Sequence, residues 1–173
     1  MTEAEIITAL KAKLSVPTGR HLYGVLGTYL ALDAFARKLQ QARLSDTGRF
    51  PKPLSVNNGI LGIIPEDEFR LLVEDEAKRP EPTAKHVEQA FGTFLRDALQ
   101  AKGTVVLAGL EMLFAYGIDL SPLRMLATDD HRVILLLPAC REGGRVRLYP
   151  HLSDAEVYLP DNLVADNNLF ELE

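Results

Sequence analysis

The sequence predicts an α/β protein, a three-layer sandwich built on a mostly parallel sheet. Helical and strand patterns alternate along its 173 residues, as expected when helices pack on both faces of a sheet. Two strand patterns, "TVVLAGL" and "RVILLLPA", are nearly continuous apolar runs joined by the short helical segment "LSPLRMLATDDH". Such runs are typical of neighbouring parallel strands that are buried on both faces. The length and the hydrophobic fraction of 47% predict one domain over residues 1–173.

The first part of the chain is predicted to form a helix, a buried strand and a second helix. Thr2 and Glu5 have the spacing of a capping box, and one helical face repeats the apolar residues Ile6, Leu10 and Leu14. The segment "HLYGVLG", residues 21–27, is a short buried strand pattern. Residues 28–44 carry the apolar stripe of an amphipathic helix.

The middle of the chain is predicted to be largely helical. "PLSV" is a short strand pattern, and the "NNG" that follows it is a turn signal. Pro65 opens a helix whose first turn is acidic and whose last turn holds Lys78 and Arg79, which suits the helix dipole. "RPEPT" separates it from a longer helix over residues 83–101, for which Gly103 offers the C-terminal cap.

The last part of the chain is predicted to hold edge strands. "RVRLYP" and "EVYLP" alternate apolar and polar residues, so we expect a hairpin or edge strands after the "GG" turn. The tail "NLFELE" also alternates, and we expect it to pack on a neighbouring molecule.

Composition disfavours several classes of function. The net charge of −5 and the absence of a dense Lys/Arg run disfavour unassisted binding to a nucleic-acid backbone. The single Cys140 permits no internal disulfide, and no Cys/His cluster has zinc spacing, so no metal site is expected. The start of the chain lacks the pattern of a signal peptide, and the longest apolar segment, "VILLLPAC", is too short to span a bilayer. We therefore expect a cytoplasmic protein without a membrane partner.

The connection between the first strand and its helix stands where a phosphate-binding loop would lie. A P-loop needs glycines that let backbone N–H groups wrap the phosphates, a lysine for the β/γ charge, and a Ser/Thr for Mg²⁺. Here "YGVLGTYLAL" supplies Gly24, Gly27 and Thr28, but no lysine occurs between Lys13 and Lys38. These three residues are a candidate, vestigial nucleotide site. The alternative is that the two glycines merely permit a tight turn from strand to helix.

The strand "TVVLA" raises the same question. In a P-loop enzyme such a strand ends in an acid that holds Mg²⁺ at the carboxyl end of the sheet, whereas this strand ends in Ala108. Glu111 is the only nearby acid, and we add it to the candidate nucleotide site. The alternative is an ordinary polar residue in the first turn after the strand. Two defects in two motifs predict that hydrolysis by the usual P-loop route does not occur, and neither ATP nor Mg²⁺ is an expected cofactor.

The segment from residue 104 to residue 150 resembles a known family. Its features are an apolar strand, then "AGLE" (108–111), "LF" (113–114), "PLRML" (122–126), a second apolar strand with Pro138, and "GGRVRLY" (143–149). These resemble the C-terminal half of the small P-loop protein of BREX-type phage-defence systems, the BrxF-like family. The resemblance extends weakly upstream through "LSVNNGILGII".

The resemblance implies a RecA/AAA-like P-loop core that works within a defence assembly. Members of that family carry an intact phosphate loop and a metal-binding acid, and this sequence departs from both. It would then be a degenerate member: a non-catalytic accessory subunit that acts through protein–protein contacts. The implied partners are other subunits of a defence complex, including a large ATPase, or further copies of the chain. An NTPase with an irregular loop at residues 24–28, in which Glu111 polarises water, is the alternative from the enzyme class.

A basic cluster near the end of the chain has two interpretations. Arg145 and Arg147 alternate, so on a strand they share one face, and Arg141 lies just before them. They are a candidate contact for an anion or for nucleic acid in an accessory role. Because Glu142 is adjacent and the chain is acidic, a salt-bridged or partner-facing edge is the other interpretation.

Overall fold

The computed structural model describes residues 1–45, 48–151 and 156–173. The helices are α1 (Glu3–Leu14), α2 (Tyr29–Gln41), α3 (Val56–Ile63), α4 (Glu66–Glu76), α5 (Pro80–Lys102), α6 (Glu111–Ala115) and α7 (Ser121–Leu126), with a 3-10 turn at Asp166–Asn168. The strands are β1 (Leu22–Gly27), β2 (Arg43–Ser45), β3 (Gly48–Arg49), β4 (Leu54–Ser55), β5 (Thr104–Ala108), β6 (Arg132–Glu142), β7 (Arg145–Leu148), β8 (Val157–Tyr158) and β9 (Leu169–Glu171).

The central sheet has the order β4–β5–β6–β1–β9, and these five strands are parallel. The long strand β6 extends beyond this core, and its second half pairs antiparallel with β7, which in turn pairs with β8. The strands β2 and β3 form a separate antiparallel ribbon. The predicted α/β class with a mostly parallel sheet is therefore confirmed, as is the parallel pairing of the two long apolar runs.

Apolar side chains of the sheet are buried on both of its faces. On one face, β1, β5 and β6 pack against a cluster that includes Phe91 and Leu95 of α5. On the other face, alternate residues of the same strands pack against a cluster that includes Leu10 of α1 and Phe35 of α2. All four of these helical side chains are 0% exposed. Helices thus cover both faces, which is why the central strands read as continuous apolar runs.

Two of the helix starts that the sequence signals are present in the structure as predicted. At α1, the Thr2 backbone N–H and hydroxyl both donate to Glu5 Oε2, at 2.8 and 2.9 Å, and the Glu5 N–H donates back to the Thr2 hydroxyl. These hydrogen bonds lower the pKa of Glu5. α7 begins at Ser121, with proline in its first turn as predicted.

Three local predictions were wrong, and the structure shows the physical reason for the first two. "NNG" is not a turn, because the Ser55 hydroxyl caps α3 by accepting from the Asn58 N–H at 3.2 Å, and the chain continues as a helix. The helix predicted over residues 83–101 begins at Pro80, because a proline in the first turn needs no N–H partner. Lys78 and Arg79 lie beyond the end of α4.

The C-terminal tail belongs to the chain's own sheet. β7 forms a hairpin with the second half of β6, which is one of the two predicted alternatives, and β8 pairs with β7 as the edge strand. The tail forms β9, which pairs parallel with β1, and Phe170 within it is only 6% exposed. The expectation that the tail packs on a neighbouring molecule is therefore replaced by packing within the chain. Among the helices of the described ranges, none has both the length and the apolar character that crossing a bilayer requires.

A buried histidine at the amino end of the sheet makes stability depend on pH. His21 is 2% exposed, its Nδ1 lies 2.9 Å from the Tyr23 hydroxyl, and its Nε2 has no hydrogen-bond partner among the described atoms. Burial lowers the pKa of His21, the positive charge of Arg132 lowers it further, and Asp129 opposes the shift. The folded protein thus holds His21 neutral at pH values where the unfolded chain binds a proton.

We expect the contribution of His21 to the free energy of unfolding to be fully present above about pH 6.5 and to decrease as the pH falls below that value. The unfolded state then binds more protons than the folded state, so stability rises with pH across this window. Urea unfolding at a series of pH values measures this pH dependence of the free energy of unfolding. His21→Gln should make the free energy depend less on pH in the same window. An NMR titration in which His21 protonates above its ordinary pKa would contradict the prediction.

Candidate functional site

The carboxyl ends of the parallel strands form the edge where the candidate nucleotide residues lie, which we call the carboxyl edge. At this edge only Thr28 connects β1 to α2. A phosphate-binding loop needs several residues between strand and helix, and there is no room for one here. The Thr28 hydroxyl caps α2 by accepting from the Ala31 N–H at 3.2 Å, so it already meets one of the donors that an anion would use.

The two glycines of the candidate site serve the packing of β9. A side chain at Gly24 would place its Cβ 2.7 Å from Leu169 Cδ2, and one at Gly27 would place its Cβ 3.2 Å from Leu172 Cδ1. Neither glycine has a positive φ. The connection after Gly27 is tight, as the predicted alternative states, with Thr28 as its single residue. The two glycines also leave room for leucines of the tail that lie against β1.

Glu111 lies at the centre of a hydrogen-bond network across the carboxyl edge. Its Oε1 accepts from the Tyr29 hydroxyl at 2.9 Å, and its Oε2 accepts from Asn57 Nδ2 at 2.7 Å. The Asn57 side-chain carbonyl accepts from the Met112 N–H at 3.0 Å, which fixes the orientation of the amide. We call the side chains of Tyr29, Asn57 and Glu111 the Glu111 bridge. It joins α2 to α3 through the first residue of α6.

The backbone before Glu111 is shaped to hold this bridge. Gly109 has φ +61°, and its carbonyl accepts from the Asn57 N–H at 2.9 Å. A Cβ at Gly109 would lie 3.0 Å from the Ser55 hydroxyl. Both its backbone conformation and its surroundings therefore favour glycine. This turn brings the carboxylate of Glu111 back over the sheet, toward α2 and α3.

Two phenols lie near the Glu111 carboxylate. Burial raises the pKa of Tyr29, and the hydrogen bond to Glu111 and its negative charge raise it further. Tyr149 is 6% exposed and packs edge-on against Phe114 with ring centroids 5.6 Å apart. Its hydroxyl has no hydrogen-bond partner among the described atoms. Burial raises the pKa of Tyr149 as well, with smaller contributions from Glu111 and Tyr29.

These residues do not fit a Mg²⁺–nucleotide bound in the P-loop manner. Ala108 ends β5 opposite Ser55 of β4 and brings no carboxylate. Both oxygens of Glu111 already accept hydrogen bonds from the protein. Within residues 1–45, 48–151 and 156–173, no group of three or more His, Cys, Asp or Glu side chains is arranged to hold a metal ion.

The three candidate arginines take part in ion pairs. Arg145 and Arg147 lie on β7, with Arg145 exposed and Arg147 half-buried, and the Arg145 guanidinium lies 4.1 Å from the centroid of the Tyr158 ring. The pairs are Arg147–Glu142 at 3.3 Å, Arg141–Asp166 at 3.6 Å, Arg141–Glu171 at 3.9 Å and Arg145–Asp161 at 4.0 Å. This is the geometry of a salt-bridged edge. An anion that used these guanidinium groups would compete with carboxylates already present.

Sequence reasoning found Glu111 but missed the residues that hold it. Asn57 lies in "NNG", which has the pattern of a turn, and Tyr29 lies in a segment with the pattern of an amphipathic helix. An asparagine directly after a strand that reaches the carboxyl edge was the available signal, because side chains there converge on one site. Comparisons with protein-family models, with curated proteins and with solved structures each found no match.

Proposed function

We propose that this protein is a non-catalytic, P-loop-like accessory subunit. It acts through protein–protein contacts within a bacterial anti-phage assembly of the BREX type. The observation that carries the proposal is the Glu111 bridge beside the one-residue connection at Thr28. The place where a nucleotide-hydrolysing domain handles phosphate is occupied here by the protein's own side chains.

The strand order supports a RecA/AAA-like origin. In that class of domain, one strand separates the strand that leads into the phosphate loop from the strand that ends in the metal-binding acid. Here β6 lies between β1 and β5, the two strands that the sequence compares with those positions. The resemblance over residues 104–150 and the strand order therefore support the same proposal from different properties of the chain.

The missing charges explain why such a scaffold would not hydrolyse a nucleotide. A lysine about 4 Å from a phosphate oxygen contributes about 4 kcal/mol at an effective dielectric of about 20. The first turn of α2 brings no cation, and its neighbour at the carboxyl edge is the carboxylate of Glu111, which repels phosphate. The β5 end brings Ala108 in place of a metal ligand.

An exposed apolar residue supports a role in contacts between proteins. Leu30 is 79% exposed at the start of α2, directly beside Tyr29, which is 41% exposed. A partner that covers the carboxyl edge would bury both side chains. Burying a leucine and a tyrosine is a common source of affinity at protein interfaces.

The direct test is to titrate the pure protein with ATP and Mg²⁺ and to measure both binding and phosphate release. We expect no turnover above background, and the same result for Thr28→Ala, because neither the cation nor the metal ligand is present. Phosphate release that is abolished by Glu111→Gln would reject the proposal in favour of the enzyme alternative.

The partner is tested by co-purification from the native operon with tagged wild-type protein and with Leu30→Glu as the matched variant. We expect other subunits of the assembly to be retained by the wild type and to be reduced by the substitution. Recovery of the wild-type protein free of any other product of the operon would contradict the proposed role.

A further inference from the structure

A trough of about 540 Å³ runs along α2 on the face of the sheet that α1 and α2 cover. α2 contributes one continuous stripe to it at helical spacing: Tyr29, Leu32, Asp33, Ala36, Arg37 and Gln40. The chain before β4 contributes Lys52 and Pro53 as a further wall. This volume is within the range of pockets that hold small organic molecules.

The floor of the trough is apolar and is made roomy by small residues. Leu136 and Pro138 of β6 and Ala108 of β5 form it, and Leu32 adds to it from the helix. Leu136 and Leu32 are 3% and 5% exposed. Ala108, a small residue at the end of β5, thus leaves space beside the sheet. A flat hydrocarbon body of ring size fits such a floor.

Two cations line the same trough. Arg37 comes from α2 and Lys52 from the segment before β4, and both side chains are solvent-accessible. Among the described residues, neither cation has a carboxylate within 4.0 Å. Asp33, one turn before Arg37, is the only acid on the helical stripe. Away from Glu111, the two cations therefore exceed the single negative charge of Asp33 by one and can receive one anionic group.

The other end of the trough disfavours an anion. Tyr29 and Glu111 line it there, and they are joined by the hydrogen bond of the Glu111 bridge. Eight residues of helix, about 12 Å, separate Tyr29 from Arg37. A second anionic group at the Glu111 end would meet a carboxylate of like charge, so the trough suits a molecule charged at one end only.

We propose that this trough binds a small organic anion with an apolar, ring-sized body and a single charged group, a carboxylate or phosphate, that is held by Arg37 and Lys52. The inference is independent of the proposed role in a defence assembly. It places a ligand site on the α2 face of the sheet, whereas the candidate nucleotide residues predict a site only at the carboxyl edge.

The test is a titration of the intact chain with phenylacetate and with phenyl phosphate, followed by two-dimensional NMR. We expect shifts of Ala36 and Ala108 with a Kd on the order of 1 mM. Benzyl alcohol, which has the ring without the charge, should bind at least about tenfold more weakly because it forms no ion pair. The comparison of the two anions shows which group the cations prefer.

Matched variants locate the binding. Arg37→Gln together with Lys52→Gln should weaken binding about tenfold, because both cations that bind the anionic group are lost. Ala36→Leu should weaken binding because the larger side chain fills the trough. Lys85→Gln, an exposed cation on α5 at the other face of the sheet, should leave the Kd unchanged. The proposal is overturned if neither anion shifts the trough residues at about ten times the expected Kd. It is equally overturned if the affinity survives the double substitution.

Discussion

Gly59→Ala is expected to lower the free energy of unfolding by about 2–3 kcal/mol. Gly59 lies on α3 where that helix packs against α5, and an added Cβ would lie 2.4 Å from two ring carbons of Phe94. Phe94 is half-buried and packs on the core, so a ring that must turn away loses this packing, and otherwise the two helices must separate. The same helix carries Asn57, so the Glu111 bridge should be disturbed as well.

Gly62→Ala is the matched control for that prediction. It lies on the same helix, and nothing lies within 4 Å of its added Cβ. The substitution should raise the free energy of unfolding by up to about 1 kcal/mol, because alanine is the better helix former. Chemical denaturation measures the free energy of unfolding of both variants. Adding Phe94→Leu to Gly59→Ala should recover part of the lost stability. Equal effects at the two glycines would contradict the close packing of α3 on α5.

Glu111→Ala is expected to cost about 1.5–2 kcal/mol of unfolding free energy, because it removes two hydrogen bonds to a charged acceptor. The figure corresponds to about one such bond, the part-buried one from Asn57, because Tyr29 is 41% exposed and water can replace most of the bond that it makes. Asn57 cannot compensate by turning its amide over, since its carbonyl is held by the Met112 N–H.

Glu111→Gln separates the role of shape from the role of charge. The glutamine carbonyl can accept from Asn57 while its amino group donates to the Tyr29 hydroxyl, so stability should fall by less than about 1 kcal/mol. Removal of the negative charge should lower the pKa of Tyr29 toward that of an ordinary phenol, since Glu111 contributes to its elevation. A spectroscopic titration of the tyrosines follows this shift. Identical losses for the alanine and glutamine variants would contradict the bridge.

The sequence predicted features that depend on short stretches of chain. The capping box of α1, the stripe of α2 and the apolar runs of β5 and β6 are each encoded within a few residues, and each is present. The start of α5 was missed by a few residues, because a proline-rich segment signals both a break and the first turn of a helix.

The candidate site depended on contacts between distant segments, and these could not be predicted. Glu111 is 54 residues from Asn57 and 82 residues from Tyr29. The glycines of β1 are a further example of such distant contacts, because they lie against leucines of the tail. No local spacing encodes such contacts, so the sequence could name Glu111 as a candidate but not state what it binds.

The position of β1 between two strands from late in the chain has a consequence for how the chain folds. Its neighbours in the sheet are residues 132–142 and residues 169–171, both far along the polypeptide. Proteins dominated by such non-local pairings fold slowly, because large loops must close, at a cost in chain entropy, before the paired strands stabilise the fold. We therefore expect refolding on the slow side for a domain of this size. Until those loops close, the apolar residues of β1 have no sheet to join and are exposed to self-association.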